Sequence, residues 1–216
     1  MKIGTSRVEA FSDGVIAIII TIMVLEFEVP DINKDATTRD VIHTLHELLP
    51  YFIAYIFSFI MIGIFWTNHH HMFHLLEKTD EPLLAMNLVF LFWMSLIPFA
   101  TIMMGGNPLL AISSALYGFI KLMTTLSLAV MRAYTIKKNL IHKDSDTELT
   151  RKVYVVSLKA RTKNYIATAA YLVSIPLAFV SVYLSYICFV IPPIISFIPH
   201  GIDDEKLAEK IEEKNT

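Results

Sequence analysis

Two groups of residues in this chain are of types that do chemistry. Arg7, Ser12 and Asp13 open one apolar stretch, RVEAFSDGVIAIIITIMVLEFEVP, and Trp66, Asn68, His69, His70, His71 and His74 close another, IFWTNHHHMFH. Carboxylates and imidazoles at this spacing can bind metal, relay protons or lock helices together. His70 and His74 are four residues apart, so on a helix they share a face and could chelate zinc. No HExxH run supplies a general base, and outside this cluster the histidines are only His43, His46, His142 and His200. Neither a zinc hydrolase nor a multi-box di-iron oxidase can be built from these, and no metal site and no catalytic set is expected. Cys188 is the single cysteine, which excludes an intrachain disulfide and a thiolate metal centre.

The remaining reading is structural. Ionisable groups near a membrane span are costly to leave unpaired, so they face protein or water. Arg7 and Asp13, six residues apart, do not share a helical face and should each reach another helix. An Asp–His or Asp–Asn hydrogen bond to the Trp66–His74 cluster would satisfy both sides.

A different pattern follows the polar start. At about 100° per residue, Gly14, Ile18, Thr21, Leu25 and Glu28 fall on one narrow stripe. Asp13, Ala17, Ile20 and Val24 lie on another face. The first stripe offers a small residue, branched apolar side chains, one hydroxyl and a terminal carboxylate, which is what a pore lining needs. Packing against neighbouring helices produces the same spacing.

These residues sit in a chain of 216 residues, 55% hydrophobic and 18% charged, with mean hydropathy +0.56. Runs of roughly 20 apolar residues cross the hydrocarbon core, and six segments are expected: about 8–29, 51–72, 83–104, 109–134, 163–179 and 181–198. GGNP at 105–108 separates the third and fourth, and a tight turn near 179–181 divides the last block. Pro176 is expected to kink or end the fifth span, and Pro192, Pro193 and Pro199 to fray the sixth. Residues 135–163 form a polar stretch, and 200–216 a charged tail. The first segment is a retained span rather than a secretory signal, since it contains Asp13 and ends in LEFEVPD.

Lys2, Arg7 and Lys78, nine basic residues from Arg132 to Lys163, and Lys206, Lys210 and Lys214 fall on one side. Only Lys34 and Arg39 fall on the other, which places both termini in the cytoplasm. Lys121, inside the fourth span, is expected to snorkel to an interface or meet a headgroup. The absence of duplication makes 1–199 one domain. No phosphate loop, dinucleotide fingerprint or nucleophile elbow occurs, and the 132–163 basic stretch is explained by topology and anionic lipid rather than nucleic acid.

Arg7, Phe11, Ser12 and Asp13 spell R-x-x-x-F-S-D, and with FWTNHH (65–70) and NLVFLFWMSLIPFAT (87–101) the chain resembles the transmembrane-protein-175 family of potassium channels. The resemblance covers nearly the whole chain. It implies the prokaryotic, single-repeat type: an all-α membrane protein whose six-helix chains form a homotetramer in the plasma membrane around a central pore. It implies that the first helix lines that pore, with Ile18, Thr21, Ile22 and Leu25 at the constriction and Gly14 and Glu28 at its mouths. Arg7, Phe11, Ser12, Asp13, Trp66, Asn68, His69, His70 and Asn87 would form the network that holds the helix upright. No carbonyl filter sequence is present, so the expected function is a potassium-permeable cation channel. It would gate by width and wetting, prefer potassium over sodium only modestly, and need no cofactor beyond permeant ions. Its partners would be copies of itself, lipids and monovalent cations. Arg7, near the pore stripe on an ideal wheel, is expected to bend into the network. The runner-up is a proton-coupled secondary transporter using Asp13 and the span-two histidines, which would show inverted repeats and broken midplane helices.

Overall fold

A computed structural model describes residues 4–25, 37–141 and 147–197, with only Leu158 among the side chains of 147–160. The elements are helices throughout: α1 (Thr5–Leu25), α2 (Thr38–His74), α3 (Glu81–Ser95), α4 (Ile97–Gly106), α5 (Ala111–Lys137), α6 (Thr147–Val180) and α7 (Val182–Phe197). Among the described residues there is no strand, only an isolated bridge between Leu76 and Ile141. The chain is an all-α membrane protein. α1, α2, the joined α3–α4 unit (Glu81–Gly106), α5 and Arg161–Val180 of α6 are each long and apolar enough to cross a bilayer, and α7 adds a shorter apolar helix.

Local chemistry sets the helix ends. Thr37 and Asp40 form a capping box at the start of α2, with the Thr37 amide donating to Asp40 Oδ2 at 2.8 Å. Asp80 caps α3 by accepting from the Leu83 amide at 3.0 Å. α5 ends where Asn139 takes a left-handed φ of 52° and the Leu140 amide returns to the Thr135 carbonyl. That 6→1 bond is the Schellman closure, in which Asn substitutes for the usual glycine.

Proline behaves differently from the sequence expectation. α2 starts thirteen residues earlier than expected and runs through Pro50; its 37 residues span about 55 Å at ~1.5 Å each, well beyond a ~30 Å hydrocarbon core. α6 likewise starts at Thr147, inside the expected polar stretch, and continues through Pro176. α7 continues through Pro192 and Pro193. Neighbouring helices and local adjustments tolerate proline in membrane helices far better than an isolated helix does. The proline that does interrupt is Pro98, whose missing N–H coincides with the break between α3 and α4 at Leu96. The turns at Asn107 and Ser181 fall where expected. The charged tail at 200–216, Glu28 and part of the 135–163 stretch lie outside the described residues.

α5 is the hub. It packs on α2, α3, α4, α6 and α7, and 67% of its apolar window is buried, against 28% for α1. Phe65, Phe90, Met94, Tyr117, Leu128, Tyr171 and Phe189 fill the space around it. Gly118 permits a close approach to α6: a Cβ there would lie 2.7 Å from Ser174 Oγ. Between α2, α4 and α5, Thr101 Oγ1 lies 2.7 Å from Ser58 Oγ, which lies 2.8 Å from Tyr117 Oη, so three buried hydroxyls satisfy one another. α1 stands at the margin and touches α2, α3 and α4.

Candidate functional site

α1 has one face turned to its own chain. Val8, Ser12, Ile16, Ile19 and Met23, at spacings of four, four, three and four, are buried against the neighbouring helices. Ser12 lies at the centre of a hydrogen-bonded line across three helices. His69 Nε2 and Asn87 Oδ1 are 2.8 Å apart, Asn87 Nδ2 donates to Ser12 Oγ at 2.8 Å, and Ser12 donates to the Val8 carbonyl at 2.8 Å. With His69 Nε2–H as donor, the Asn87 amide and the Ser12 hydroxyl are both bonded, and on this line only His69 Nδ1 is left without a partner. All three side chains are essentially inaccessible. The His69 ring stacks between Phe73 and Phe90, with centroids 4.4 and 5.3 Å away.

Within the expected cluster, the partner of Asp13 is Trp66 rather than a histidine or asparagine. Its Oδ1 accepts from Trp66 Nε1 at 2.9 Å. Trp66 stacks on His70 at 5.4 Å, and His70 faces Glu9 of α1, with Nδ1 and Oε1 3.0 Å apart. The structure thus brings Ser12, Asp13, Trp66, His69, His70 and Asn87 together where α1 begins and α2 ends.

Arg7, Phe11 and Asn68 do not join them as expected. Arg7 is exposed and makes no side-chain hydrogen bond or ion pair among the described residues. Phe11 is 54% exposed. The reason is angular: about 100° per residue puts Arg7 and Phe11 more than a right angle from Ser12, turned from α2 and α3. Asn68 bonds back to its own helix at the Ile64 carbonyl, and its carbonyl accepts from Arg132 Nη2 at 2.9 Å, which ties α5 to α2.

Glu9 was missed by sequence reasoning, which took Arg7 and Asp13 as the inward charges. Anchoring the wheel on Ser12 finds it, only about 60° away. Lys121 also departs from expectation. Rather than snorkelling, its side chain is completely buried, with Nζ 4.8 Å from the Tyr117 ring centre and 5.2 Å from that of Phe57, and without a hydrogen-bond partner. Its position at the middle of the hub helix leaves the stem no route to an interface.

On the opposite side of α1, Gly14, Ile18, Thr21 and Leu25 are exposed in the chain, and Ile22 flanks them. Ile18 is 60% and Leu25 78% exposed, against 3% for Ile16 and 5% for Ile19. The Thr21 hydroxyl returns to the Ala17 carbonyl at 2.8 Å, which leaves its oxygen lone pairs outward.

Residues 7–98 match the sequence profile of the family described as endosomal/lysosomal potassium channel TMEM175. A curated potassium channel of Chryseobacterium sp. (strain P1-3) is 37% identical over 203 residues, covering 94% of this chain and 97% of that one. The chain belongs to the TMEM175 family. The crystal structure of a lysosomal potassium-selective channel TMEM175 homolog from Chamaesiphon minutus superposes with a TM-score of 0.73 at 29% identity. The match covers 89% of this chain and 98% of that one. A bovine relative, named endosomal/lysosomal proton channel TMEM175, is 34% identical over 103 residues. That match covers 45% of this chain and 22% of the bovine one. The R-x-x-x-F-S-D and FWTNHH motifs and the Asn87 position all lie within the family-matched segment.

Proposed function

We propose that the chain is one subunit of a potassium-permeable cation channel, a homotetramer whose four α1 helices surround a central pore. The observation that carries this reading is the two-sided character of α1. The face through Ser12 is sealed by hydrogen bonds and packing, while Gly14, Ile18, Thr21, Ile22 and Leu25 stay exposed among the described residues. The potassium channels among the relatives support the choice of ion.

In this arrangement Ile18 and Leu25 form apolar rings, seven residues and about 10 Å apart along the axis. Branched apolar side chains offer an ion no ligand, so the rings gate by width and wetting. Thr21 supplies the polar foothold between them, and Glu28 gathers cations at the outer mouth. Passage past hydroxyls instead of a carbonyl cage gives only modest discrimination between potassium and sodium. The basic residues place both termini in the cytoplasm of a prokaryotic plasma membrane, with lipid against the remaining apolar surface. Residues 1–199 act as one domain.

The test is potassium flux into liposomes carrying the purified protein, with particle mass measured in detergent. Flux that follows the potassium gradient alone is expected, from particles of four chains. Ile18→Asn should raise flux several-fold and weaken selectivity, whereas Ile19→Asn, which puts an amide into the packed face, should lower the yield of folded protein. Equal effects of the two on flux, a monomeric particle, or saturable flux tied to a pH gradient would overturn the reading; the last result is the signature of the transporter.

A further inference from the structure

We infer that Glu9, His70 and His74 form a binding site for a divalent cation of the zinc class, joining α1 to the end of α2. Sequence spacing offers only two ligands here, His70 and His74, one turn apart on α2. The fold adds the third. Glu9 Oε1 of α1 lies 3.0 Å from His70 Nδ1 and 3.9 Å from His74 Nε2, and one ligand atom from each of the three residues lies within 4.8 Å of the others. Ligand atoms about 2.0–2.2 Å from a tetrahedral zinc ion are about 3.3–3.6 Å apart, so binding would draw the three side chains together by small rotamer adjustments.

An ordinary ion pair accounts for the cluster less well. Glu9 Oε1 and His70 Nδ1 are both shut off from solvent, and neither has a hydrogen-bond partner despite their separation. With the His70 proton on Nε2, its Nδ1 and the Glu9 carboxylate are two converging acceptors, an arrangement that a cation satisfies. Two imidazoles with one carboxylate select zinc and its neighbours over magnesium or calcium, which prefer all-oxygen sites. The side chains of Glu9, His70 and His74 are each partly accessible, and water would complete the coordination. The orientation of His70 is supported from outside the site. Its ring stacks on Trp66, which Asp13 holds through the indole N–H, an arrangement that reduces the ordering required on binding.

The inference does not depend on the channel reading, because it is tested on the detergent-purified full chain without any flux. The protein is stripped with chelator and titrated with zinc against a chromophoric competitor, and the thermal midpoint is followed with and without zinc. One zinc per chain is expected, with a higher midpoint. His74→Asn, at a half-buried position in the last turn of α2, and Glu9→Gln should each weaken zinc binding at least tenfold and abolish the midpoint shift. His43→Asn, in the exposed His43–Glu47 pair 3.4 Å apart, should leave both unchanged. If Glu9→Gln yields no folded protein, His74→Asn decides alone. Wild-type binding in His74→Asn would place the metal elsewhere, and no stoichiometric binding to the wild type would reduce the cluster to an ion pair; either result overturns the inference.

Discussion

Replacing Asn87 by Leu removes the group that joins three helices while nearly preserving side-chain volume. Asn87 is 1% exposed, and its partners Ser12 and His69 are fully buried. Ser12 keeps its own bond to the Val8 carbonyl, so little is lost there. His69 is the costly member. Its Nδ1 has no partner even in the native protein, and losing the Asn87 contact leaves the imidazole without a hydrogen bond. One orphaned buried polar group costs about 1–3 kcal/mol, and each lost bond about 1 kcal/mol net. Leu gains some apolar burial in return, so the expected loss is about 2–3 kcal/mol. The measurement is detergent-denaturant unfolding of the purified protein, followed by the fluorescence of Trp66 and Trp93. Ser95→Ala removes a hydroxyl that only returns to its own helix at Phe92 and serves as the control. Ser12→Ala should cost less, and the double variant should fall short of the sum by about 1 kcal/mol, because the two residues share a bond. Strict additivity, or an Asn87→Leu protein as stable as the control, would show that the line across α1, α2 and α3 contributes nothing to holding α1.

Two further substitutions test the interior. Lys121→Met keeps most of the volume but removes an amine that lacks a hydrogen-bond partner, so the thermal midpoint should rise, by an amount equivalent to about 1–2 kcal/mol; a fall would mean that the contacts with the Tyr117 and Phe57 rings outweigh the desolvation. Gly118→Val should lower the midpoint, with a loss of about 2–3 kcal/mol, because its Cβ would meet Ser174 Oγ at 2.7 Å and Phe189 at 3.2 Å; a midpoint equal to that of the native protein would show that α5 and α6 can separate freely.

The membrane class, the helical breaks at Asn107 and Ser181 and the polar ends of α1 and α2 were legible from apolar run lengths and residue types. These depend on local sequence and on the cost of burying charge, which need no knowledge of tertiary contacts. What could not be read was which polar groups meet. A helical wheel fixes angles on α1 but not which face of α3 approaches, so Asn87 could be named as a network member while its bond to Ser12 could not. Glu9 and Arg7 differ by only two residues, yet that step turns one toward the histidines and the other away. Pro50 was read as a boundary and Pro176 as a kink or an end because isolated helices break there, whereas a packed bundle compensates. Lys121 defied expectation because nothing in the sequence separates a span that faces lipid from the hub of the bundle.

The polar start of α1 has a role that its apolar remainder cannot perform. From Gly14 to Leu25 the helix is apolar nearly all round, so neither lipid nor hydrophobic packing strongly prefers one rotation about its axis. In hydrocarbon, apolar side chains gain little by leaving one greasy neighbour for another. Hydrogen bonds are directional, and a buried polar group without a partner costs several kcal/mol. Turning α1 by one residue, about 100°, would carry Ser12 away from Asn87 and Asp13 away from Trp66 together, which leaves the Asn87 amide and the Trp66 indole N–H short of partners. These contacts therefore fix the rotation of the whole helix from one end. With Ser12 held against α3, the geometry of a regular helix carries Ile16, Ile19 and Met23 inward and Ile18, Thr21 and Leu25 outward, so which residues the chain presents outward two to three turns away is decided by two hydrogen bonds at the entrance.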